Sequence, residues 1–409
     1  MSFLKKDIQT NLTWLLYILL AFFFPLSQSF STIPIVFLLL SWIYEGNIKS
    51  RLQTVINNPL VLILISTYII SIIGTLYSTN IKKALFELEL NVSILIFPVI
   101  FSTTKNTMVQ QQSRTILIAF ILGCITAFII CSGNSLYLFY QTHNLEVFYY
   151  KSLAIIHTPG SLSMYINLGI ILLLFDLLKI NKLSDTYNFR IIKVLILSAF
   201  IGFVILLASK TSILFLIIIL FSTTVYLFYK IKSLTIKLIL VLSTCLIIFT
   251  SFFTLSFTRF KNAFNTIDNT SLSKNSIEST ALRISAFHAS MDIIKENWFW
   301  GVGTGDVKDE LIKKYQEEKY LGALKLKTSP HNQFLKSYLK NGLLGFTALL
   351  ITLIIPLAWS ITKKKYLIVF FLLNILFNTV TDDLFDIQSG AVFYSFFNSF
   401  FLFIYPKLE

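Results

Sequence analysis

Charged residues are scarce in this chain of 409 amino acids, and so is cysteine. Only 13% of the residues are Asp, Glu, Lys or Arg, whereas a soluble domain carries about 25%, and 55% are hydrophobic. The three cysteines, Cys124, Cys131 and Cys245, fall within or at the edge of apolar runs, and their number is odd. These features exclude an ordinary soluble fold and argue against a disulfide framework or a cysteine-based metal site.

Basic residues outnumber acidic ones and give a formal charge of +14. They occur in short clusters between apolar runs rather than along one amphipathic face, which argues against nucleic-acid binding and indicates topology signals. Residues 11–24 lack a small-residue cleavage site and continue into more apolar sequence. We therefore expect a first membrane span there rather than a cleaved signal peptide.

Apolar runs of about twenty residues, the length that a helix needs to cross the bilayer core, recur along the whole chain. They predict an all-α polytopic membrane protein with about twelve transmembrane helices. The boundary between the first two spans is the weakest prediction, because Pro25 and Pro34 flank a polar stretch that could be a turn or a kink. The predicted spans are residues 12–28, 31–45, 59–77, 85–102, 114–133, 161–178, 191–208, 211–229, 236–256, 333–359, 365–380 and 388–405.

Lysine and arginine are unevenly distributed between the two ends of these spans. With a cytoplasmic N-terminus, the cytoplasmic segments hold 17 basic residues and the short external segments hold four, namely Lys82, Lys83, Lys151 and Lys210. The positive-inside rule therefore predicts that both termini are cytoplasmic. Residues 257–332 do not enter this count, since long loops translocate regardless of charge, and we expect them outside.

The segment 257–332 differs in composition from its surroundings and divides the chain into helices 1–9 (residues 1–256), a loop domain, and helices 10–12 (residues 333–409). After a polar lead-in at 262–279, two amphipathic helices are predicted, the second over 306–320. Ser279 or Thr280 could cap the first. Apolar residues recur at helical spacing in both: Leu282, Ala286, Ala289 and Ile293 in the first, and Val307, Leu311, Ile312 and Tyr315 in the second.

The sharpest candidate site is Ser329-Pro330-His331-Asn332, where this segment meets the tenth span. We expect Thr328 or Ser329 to cap that helix and Pro330 to open it, because proline at the first turn needs no partner for its nitrogen. His331 would then lie in the first turn, where the helix dipole disfavours imidazolium. A general base is the functional interpretation, and a polar residue at the membrane interface is the alternative.

Two cations share the external level, Lys210 in a short link between spans and Arg283 on the first amphipathic helix. A lysine between two apolar spans is costly without an anionic partner or a wet cavity, and the next span adds unpaired backbone N–H groups. These features favour a phosphate or pyrophosphate site. The alternatives are snorkelling of Lys210 to the headgroups and a solvated charge at Arg283.

Other polar residues are predicted on the same side. Asp382, Asp383 and Asp386, between the last two spans, could hold a divalent metal, orient a base, or form only a solvated loop. His157 directly precedes the sixth span.

The glycine-rich stretch 301–305 lacks the Gly-Lys-Ser/Thr ending of a nucleotide-binding loop. We expect it to be a turn that closes the first amphipathic helix. Trp298 and Trp300 would then lie at the membrane interface.

Several motifs occur together and in order: His157-Thr158-Pro159-Gly160, Ser209-Lys210-Thr211, Arg283 with its apolar helix, Gly301-Val302-Gly303-Thr304-Gly305, His331-Asn332-Gln333-Phe334-Leu335, and Asn341-Gly342-Leu343-Leu344-Gly345. In this combination the chain resembles the O-antigen ligase and polymerase family of bacterial membrane glycosyltransferases over about residues 150–400.

The resemblance implies a GT-C type fold and an inverting, metal-independent glycosyltransferase without a cofactor. The donor would be a glycan on undecaprenyl pyrophosphate at the periplasmic face of the inner membrane. In ligases of this family the acceptor is a sugar of the lipid A core.

Site residues follow from the same resemblance. His331 would act as the base or transition-state stabiliser together with Arg283, and the pyrophosphate would be bound by Arg283, Lys210 and His157. Lys210 stands where many members have arginine, and lysine lacks the bidentate fork of a guanidinium. Residues that would orient the acceptor or the base are Asn332, Asp382, Asp383 and Asp386.

Two alternatives stay open. A polysaccharide polymerase of the same family would join repeat units while both substrates remain on lipid carriers. A lipid-linked oligosaccharide flippase, or another transporter, would place ionisable groups near mid-membrane beside interrupted helices. The nearest candidates, Asp176, Glu87 and Glu89, all lie near span ends, so the sequence favours the enzyme.

Overall fold

A computed structural model describes residues 2–104, 110–178, 190–233, 235, 242 and 276–405. Within these ranges the chain is helical and contains no strand. Short 3-10 turns lie at Leu145–Phe148 and Leu384–Asp386. The helices are α1 (Ser2–Phe23), α2 (Gln28–Tyr44), α3 (Ile48–Ile56), α4 (Pro59–Leu76), α5 (Ile81–Asn91), α6 (Ser93–Thr103), α7 (Gln110–Thr142), α8 (Tyr150–Leu153), α9 (Pro159–Leu177), α10 (Arg190–Leu207), α11 (Lys210–Lys230), α12 (Ser279–Glu296), α13 (Val307–Glu317), α14 (Leu321–Leu326), α15 (Gln333–Thr362), α16 (Tyr366–Thr381) and α17 (Gln388–Phe403).

The predicted spans coincide with helices wherever the structure describes them. In the described ranges, seven helical stretches are long and apolar enough to cross a membrane: α4, α5 with α6, α7, α9, α10, α11 and α15. Shorter apolar helices lie at Leu12–Phe23, Thr32–Tyr44 and Tyr366–Thr381. The chain is therefore an all-α, multi-pass membrane protein, as predicted. Nearly all of the predicted ninth span (236–256), the boundary at 256/257 and most of the polar lead-in (262–279) fall outside the described residues.

In the N-terminal half of the chain, the structure decides one boundary that the sequence left open, between α1 and α2, and corrects another, the end of α7. The side chain of Ser27 caps α2, so the first two helices are separated by a turn. Helix α7 has 33 residues instead of the twenty predicted, and at about 1.5 Å per residue it extends well beyond a bilayer core of about 30 Å. The helix continues through the polar residues after 131, and there the Ser135 hydroxyl donates to the Val147 carbonyl at 2.8 Å.

The centre of the bundle is α17, whose residues 389–403 are all buried. Its phenylalanines pack edge-on against rings from several helices, for example Phe397 on Phe120 at 4.9 Å between centroids. Phe396 similarly meets Phe97 of α6 at 5.3 Å. Aromatic rings in such tilted contacts fill a core densely without polar atoms that would need partners.

Residues 278–332 form a layer of short helices over one end of the bundle, called the helical cap below. Its own apolar core contains the predicted stripes, with Ala289 and Ile293 of α12 packed on Leu311 and Tyr315 of α13. Helix α12 begins at Ser279 with Glu278 as its N-cap and no side-chain cap bond. The predicted capping by Ser279 or Thr280 is therefore wrong, because the helix starts earlier than the apolar stripe suggests.

The glycine-rich turn of the cap fits into a break in α15. Asn341 and Gly342 leave helical geometry, with φ +58° at Gly342. The break frees two carbonyls, and the N–H groups of Val302 and Gly303 donate to Leu339 O at 2.8 Å and Lys340 O at 2.9 Å. Two predicted motifs, 301–305 and 341–345, thus form one joint that fixes the cap on α15.

Asp306 fastens the cap at a second point, the turn between α4 and α5. Its carboxylate accepts hydrogen bonds from Thr79 N at 2.7 Å and Asn80 N at 2.8 Å, directly before α5. Gly305 N donates to the Ser78 hydroxyl at 3.1 Å. The cap is therefore held by main-chain and carboxylate bonds at both α5 and α15.

Candidate active site

A cavity of about 1460 Å³ lies between the cap and the helix ends below it. Ordinary small-ligand pockets measure about 300–1,000 Å³, so this one has room for more than one ligand group. It is lined by seven of the residues predicted from the sequence: His157, Lys210, Arg283, His331, Asp382, Asp383 and Asp386. Side chains that the sequence distributes over 230 positions are thus brought to one end of the bundle.

His331 lies before α15 rather than inside the helix, in the segment 327–332 that joins α14 to α15 and is called the strap below. The helix begins at Gln333, and the Asn332 side chain caps it by accepting from Phe334 N at 2.9 Å and Leu335 N at 3.1 Å. The prediction that Thr328 or Ser329 caps and Pro330 opens the helix is therefore wrong. His331 has φ +49°, a left-handed conformation that ends any helical run before it.

The strap is held from beneath by Tyr315. The phenol of this fully buried residue donates to the Thr328 carbonyl at 2.9 Å, and Thr328 N donates to Ala323 O at 3.1 Å. Left-handed φ values at Lys327 and His331 cost energy in non-glycine residues. Packing and these bonds fix the imidazole in place despite that strain.

The His331 ring has a carboxylate partner. Its Nδ1 lies 3.3 Å from Oδ1 of Asp382, and both side chains are about two-fifths exposed to the cavity. A carboxylate at Nδ1 orients the ring and leaves Nε2 for a second group. This geometry fits an imidazole that accepts a proton at Nε2.

Asp383 supports the strap rather than facing His331. Its carboxylate accepts from the backbone N–H of Asn332 at 2.8 Å. Burial, and then the charge of Asp386, raises the pKa of the Asp383 carboxyl above its usual value. Asn332 and Asp383 together therefore set where α15 begins.

Asp386 belongs to a buried group of four charges that the sequence analysis missed. Lys336 lies 2.9 Å and Lys340 lies 2.6 Å from its carboxylate, and Lys340 also lies 3.0 Å from Glu87 of α5. Burial alone would raise the pKa of Asp386, but the two lysine charges outweigh it and hold the pKa well below its usual range. The sequence hinted at this group through the spacing of Lys336 and Lys340, which places both lysines on one face of a helix.

The three aspartates have three different sets of partners. Asp382 contacts His331, Asp383 the N–H of Asn332, and Asp386 two lysines. Within the described ranges no group of three or more His, Cys, Asp and Glu side chains has the geometry of a metal site.

The cavity wall is rich in helix N-termini. The first residues of α9, α11, α12 and α13 line it, and each of these helices brings the positive end of its dipole to the cavity. Lys210 is the first residue of α11, and Arg283 lies in the second turn of α12. Gly160 of α9 approaches Asp382 so closely that a Cβ there would lie 3.2 Å from the carboxylate. This wall suits an anion.

His157 lies in the loop before α9 with its Nε2 enclosed, and no partner for that nitrogen occurs among the described residues. Burial lowers the pKa of this histidine below its ordinary value, although a hydrogen bond to the Phe24 backbone opposes the shift. At neutral pH the ring is therefore uncharged, and because its one N–H is engaged by the Phe24 backbone, it does not offer a phosphate a positive charge.

Residues 194–350 match the family model of the O-antigen ligase. The match confirms the family resemblance and supports an O-antigen ligase or polymerase type of function. No curated protein matches the chain.

The matched residues run from α10 into α15 and carry Lys210, Arg283, the glycine-rich turn and His331. The partner of His331, Asp382, lies outside them, as does His157. Both line the same cavity as Lys210, Arg283 and His331 of the matched part.

Proposed function

We propose that the protein is an O-antigen ligase that transfers a glycan from undecaprenyl pyrophosphate to a sugar of the lipid A core. The observation that carries the proposal is the single cavity in which the His331–Asp382 pair faces cations and helix N-termini. A base and an anion-binding wall are what glycosyl transfer from a lipid pyrophosphate requires. No nucleotide is needed, because the pyrophosphate is itself the leaving group.

In the proposed reaction, Nε2 of His331 takes the proton of the acceptor hydroxyl as its oxygen attacks the anomeric carbon. The bond between that carbon and the pyrophosphate oxygen breaks, and the configuration inverts. Asp382 stabilises the imidazolium that forms. Arg283 and Lys210 neutralise the charge on the departing undecaprenyl pyrophosphate, while the helix N-termini add oriented N–H groups.

The cavity end of the bundle is proposed to face the periplasm. Two arguments support this side, the basic residues that cluster at the opposite ends of the spans and the length of the 257–332 segment. A lipid-linked donor keeps its pyrophosphate at the membrane surface, the level at which Lys210 begins α11. The protein would then be an inner-membrane enzyme with both termini in the cytoplasm.

The test is glycan transfer by purified protein in liposomes that contain undecaprenyl-pyrophosphate-linked glycan, with or without lipid A core. We expect transfer only onto the core, its loss in His331→Ala and Arg283→Ala, and no effect of a chelator. Lys295→Ala is the matched control for Arg283, because it lies on the same helix, is exposed and, among the described residues, pairs only with Asp292.

Other outcomes would change the assignment. Chain extension without lipid A core would indicate the polymerase. If no transfer occurred under any condition while both variants still functioned in the cell, the enzymatic proposal would fail.

A further inference from the structure

Basic side chains outnumber acidic ones in the wall of the cavity. Among the described residues it is lined by seven basic side chains and five acidic ones. Four of the acids are engaged within the protein: Glu87 and Asp386 by lysines, Asp382 by His331, and Asp383 by the Asn332 N–H. A sugar pyrophosphate ester has one negative charge on each phosphate, which Lys210 and Arg283 would balance.

Lys151, Lys308 and Lys327 remain, and the last two belong to the cap. Both are exposed and line the cavity from the cap side, Lys308 in the first turn of α13 and Lys327 at the end of α14. Within the described ranges neither ammonium group has an ion-pair or hydrogen-bond partner in the protein. They belong to a different layer from Lys210, which begins a membrane helix.

Lys327 also has a left-handed backbone conformation, which suits glycine better than lysine. It lies at the C-terminal end of α14 with φ +49°, a position where glycine avoids the steric cost. An unpaired lysine in a strained backbone position that faces a cavity is a pattern associated with ligand binding.

We propose that Lys308 and Lys327 form a subsite for the acceptor, and that this acceptor is an anionic glycan carrying phosphate groups. The inference rests on the proposed function and names the substrate class of the same site. The donor pyrophosphate lies at the ends of the membrane helices, and the acceptor reaches His331 from the cap. Lys327 begins the strap that carries His331, so a bound acid group would hold the acceptor hydroxyl near the imidazole.

The decisive variants are Lys327→Gly and Lys308→Gln. Glycine removes the charge of residue 327 and relieves its strain, so we expect an unchanged or higher Tm together with weaker acceptor binding. Lys319→Gly is the matched control, because Lys319 also has a positive φ in the cap but does not line the cavity. Lys313→Gln is the control for Lys308, since it lies on the same helix and pairs with Glu310 at 3.8 Å.

The probe is a phosphorylated lipid A core oligosaccharide, compared with the same oligosaccharide after phosphatase treatment. We expect each decisive variant to weaken binding of the phosphorylated probe about tenfold, as loss of a charge-assisted contact does. Binding of the treated probe should be the same in all variants. Added salt should weaken the binding of the phosphorylated probe but not that of the treated probe. Transfer assays should show a raised KM for acceptor with an unchanged KM for donor.

Equal losses for both probes, or a raised KM for donor instead of acceptor, would overturn the proposal. Direct binding separates it from the proposed function. If wild-type protein transferred no glycan but still bound the phosphorylated probe through these two lysines, the ligase assignment alone would fail. If transfer occurred and the two lysines had no effect, the subsite alone would fail.

Discussion

Replacing Lys340 with methionine should destabilise the protein strongly, because it removes one charge from a buried group of four. Lys340 lies 3.0 Å from Glu87 and 2.6 Å from Asp386, with only 7% of its side chain exposed. Lys336 supplies the second positive charge. The four charges sum to zero, and after the substitution the buried carboxylate of Glu87 keeps the more exposed Lys83, at 3.5 Å, in place of its buried partner at 3.0 Å.

Breaking a buried ion pair in this way costs about 3–5 kcal/mol. Lys83→Met provides the matched comparison, because Lys83 also pairs with Glu87, but at 3.5 Å and with 36% of its side chain exposed. Partly exposed pairs contribute about 1 kcal/mol or less. Adding Glu87→Gln to Lys340→Met restores neutrality, and we expect it to recover a large part of the loss.

Thermal unfolding of the three variants in detergent, followed by tryptophan fluorescence at a fixed heating rate, checks this order. We expect Lys340→Met to lower the apparent Tm by several degrees and Lys83→Met to change it by much less. If the two single variants had equal Tm values, or if Glu87→Gln lowered the Tm of Lys340→Met further, the buried network would not have the energetic role assigned to it.

Three further changes test the joint, the base and the buried histidine. Gly342→Ala should lower the Tm because its Cβ would overlap the backbone of the glycine-rich turn at positive φ, whereas Gly202→Ala, with open space around it, should leave the Tm unchanged or raise it. Asp382→Asn should lower kcat by about 10–100-fold with little change in either KM, and an unchanged kcat would remove its orienting role. Burial lowers the pKa of His157, so its folded form binds fewer protons than its unfolded form and stability should fall as the pH drops below about 6.5. His157→Gln should flatten that pH dependence of Tm, and an unaltered slope would refute the assignment.

Much of the fold could be predicted because hydrocarbon imposes a simple rule on sequence. A run of about twenty apolar residues must be helical when no water can satisfy its backbone. The end of α7 was missed for the same reason, since the rule ceases to apply where the helix leaves the bilayer. There the helix packs on the chain that follows it, for example through the Ser135 hydroxyl and the Val147 carbonyl, and hydropathy does not reveal such contacts.

The sequence predicted most of the residues that line the candidate site, but not which of them contact each other. Predicted topology placed His331 and the aspartates on one side of the membrane, yet their pairing depends on where α15 starts. That start was placed too early because a Ser-Pro sequence is a common helix opening, whereas Asn332 competes as a cap and is better placed by Asp383. Side-chain capping energies of about 1 kcal/mol decided the difference.

The break in α15 bears on the transporter alternative. An interrupted membrane helix exposes carbonyls that in transporters coordinate an ion. Here the carbonyls of Leu339 and Lys340 accept instead from Val302 and Gly303 of the cap. The nearby carboxylate of Glu87 is likewise occupied by Lys340.

A helix break filled by the chain's own backbone fixes one element on another, and it leaves no coordination site for a cargo ion at that point. The two glycine motifs therefore have an architectural role, and we propose that the chemistry lies with the polar residues around the cavity. On this argument, substitution in the joint should impair folding and activity together. Substitution of His331 or Arg283 should abolish transfer in a protein that still folds.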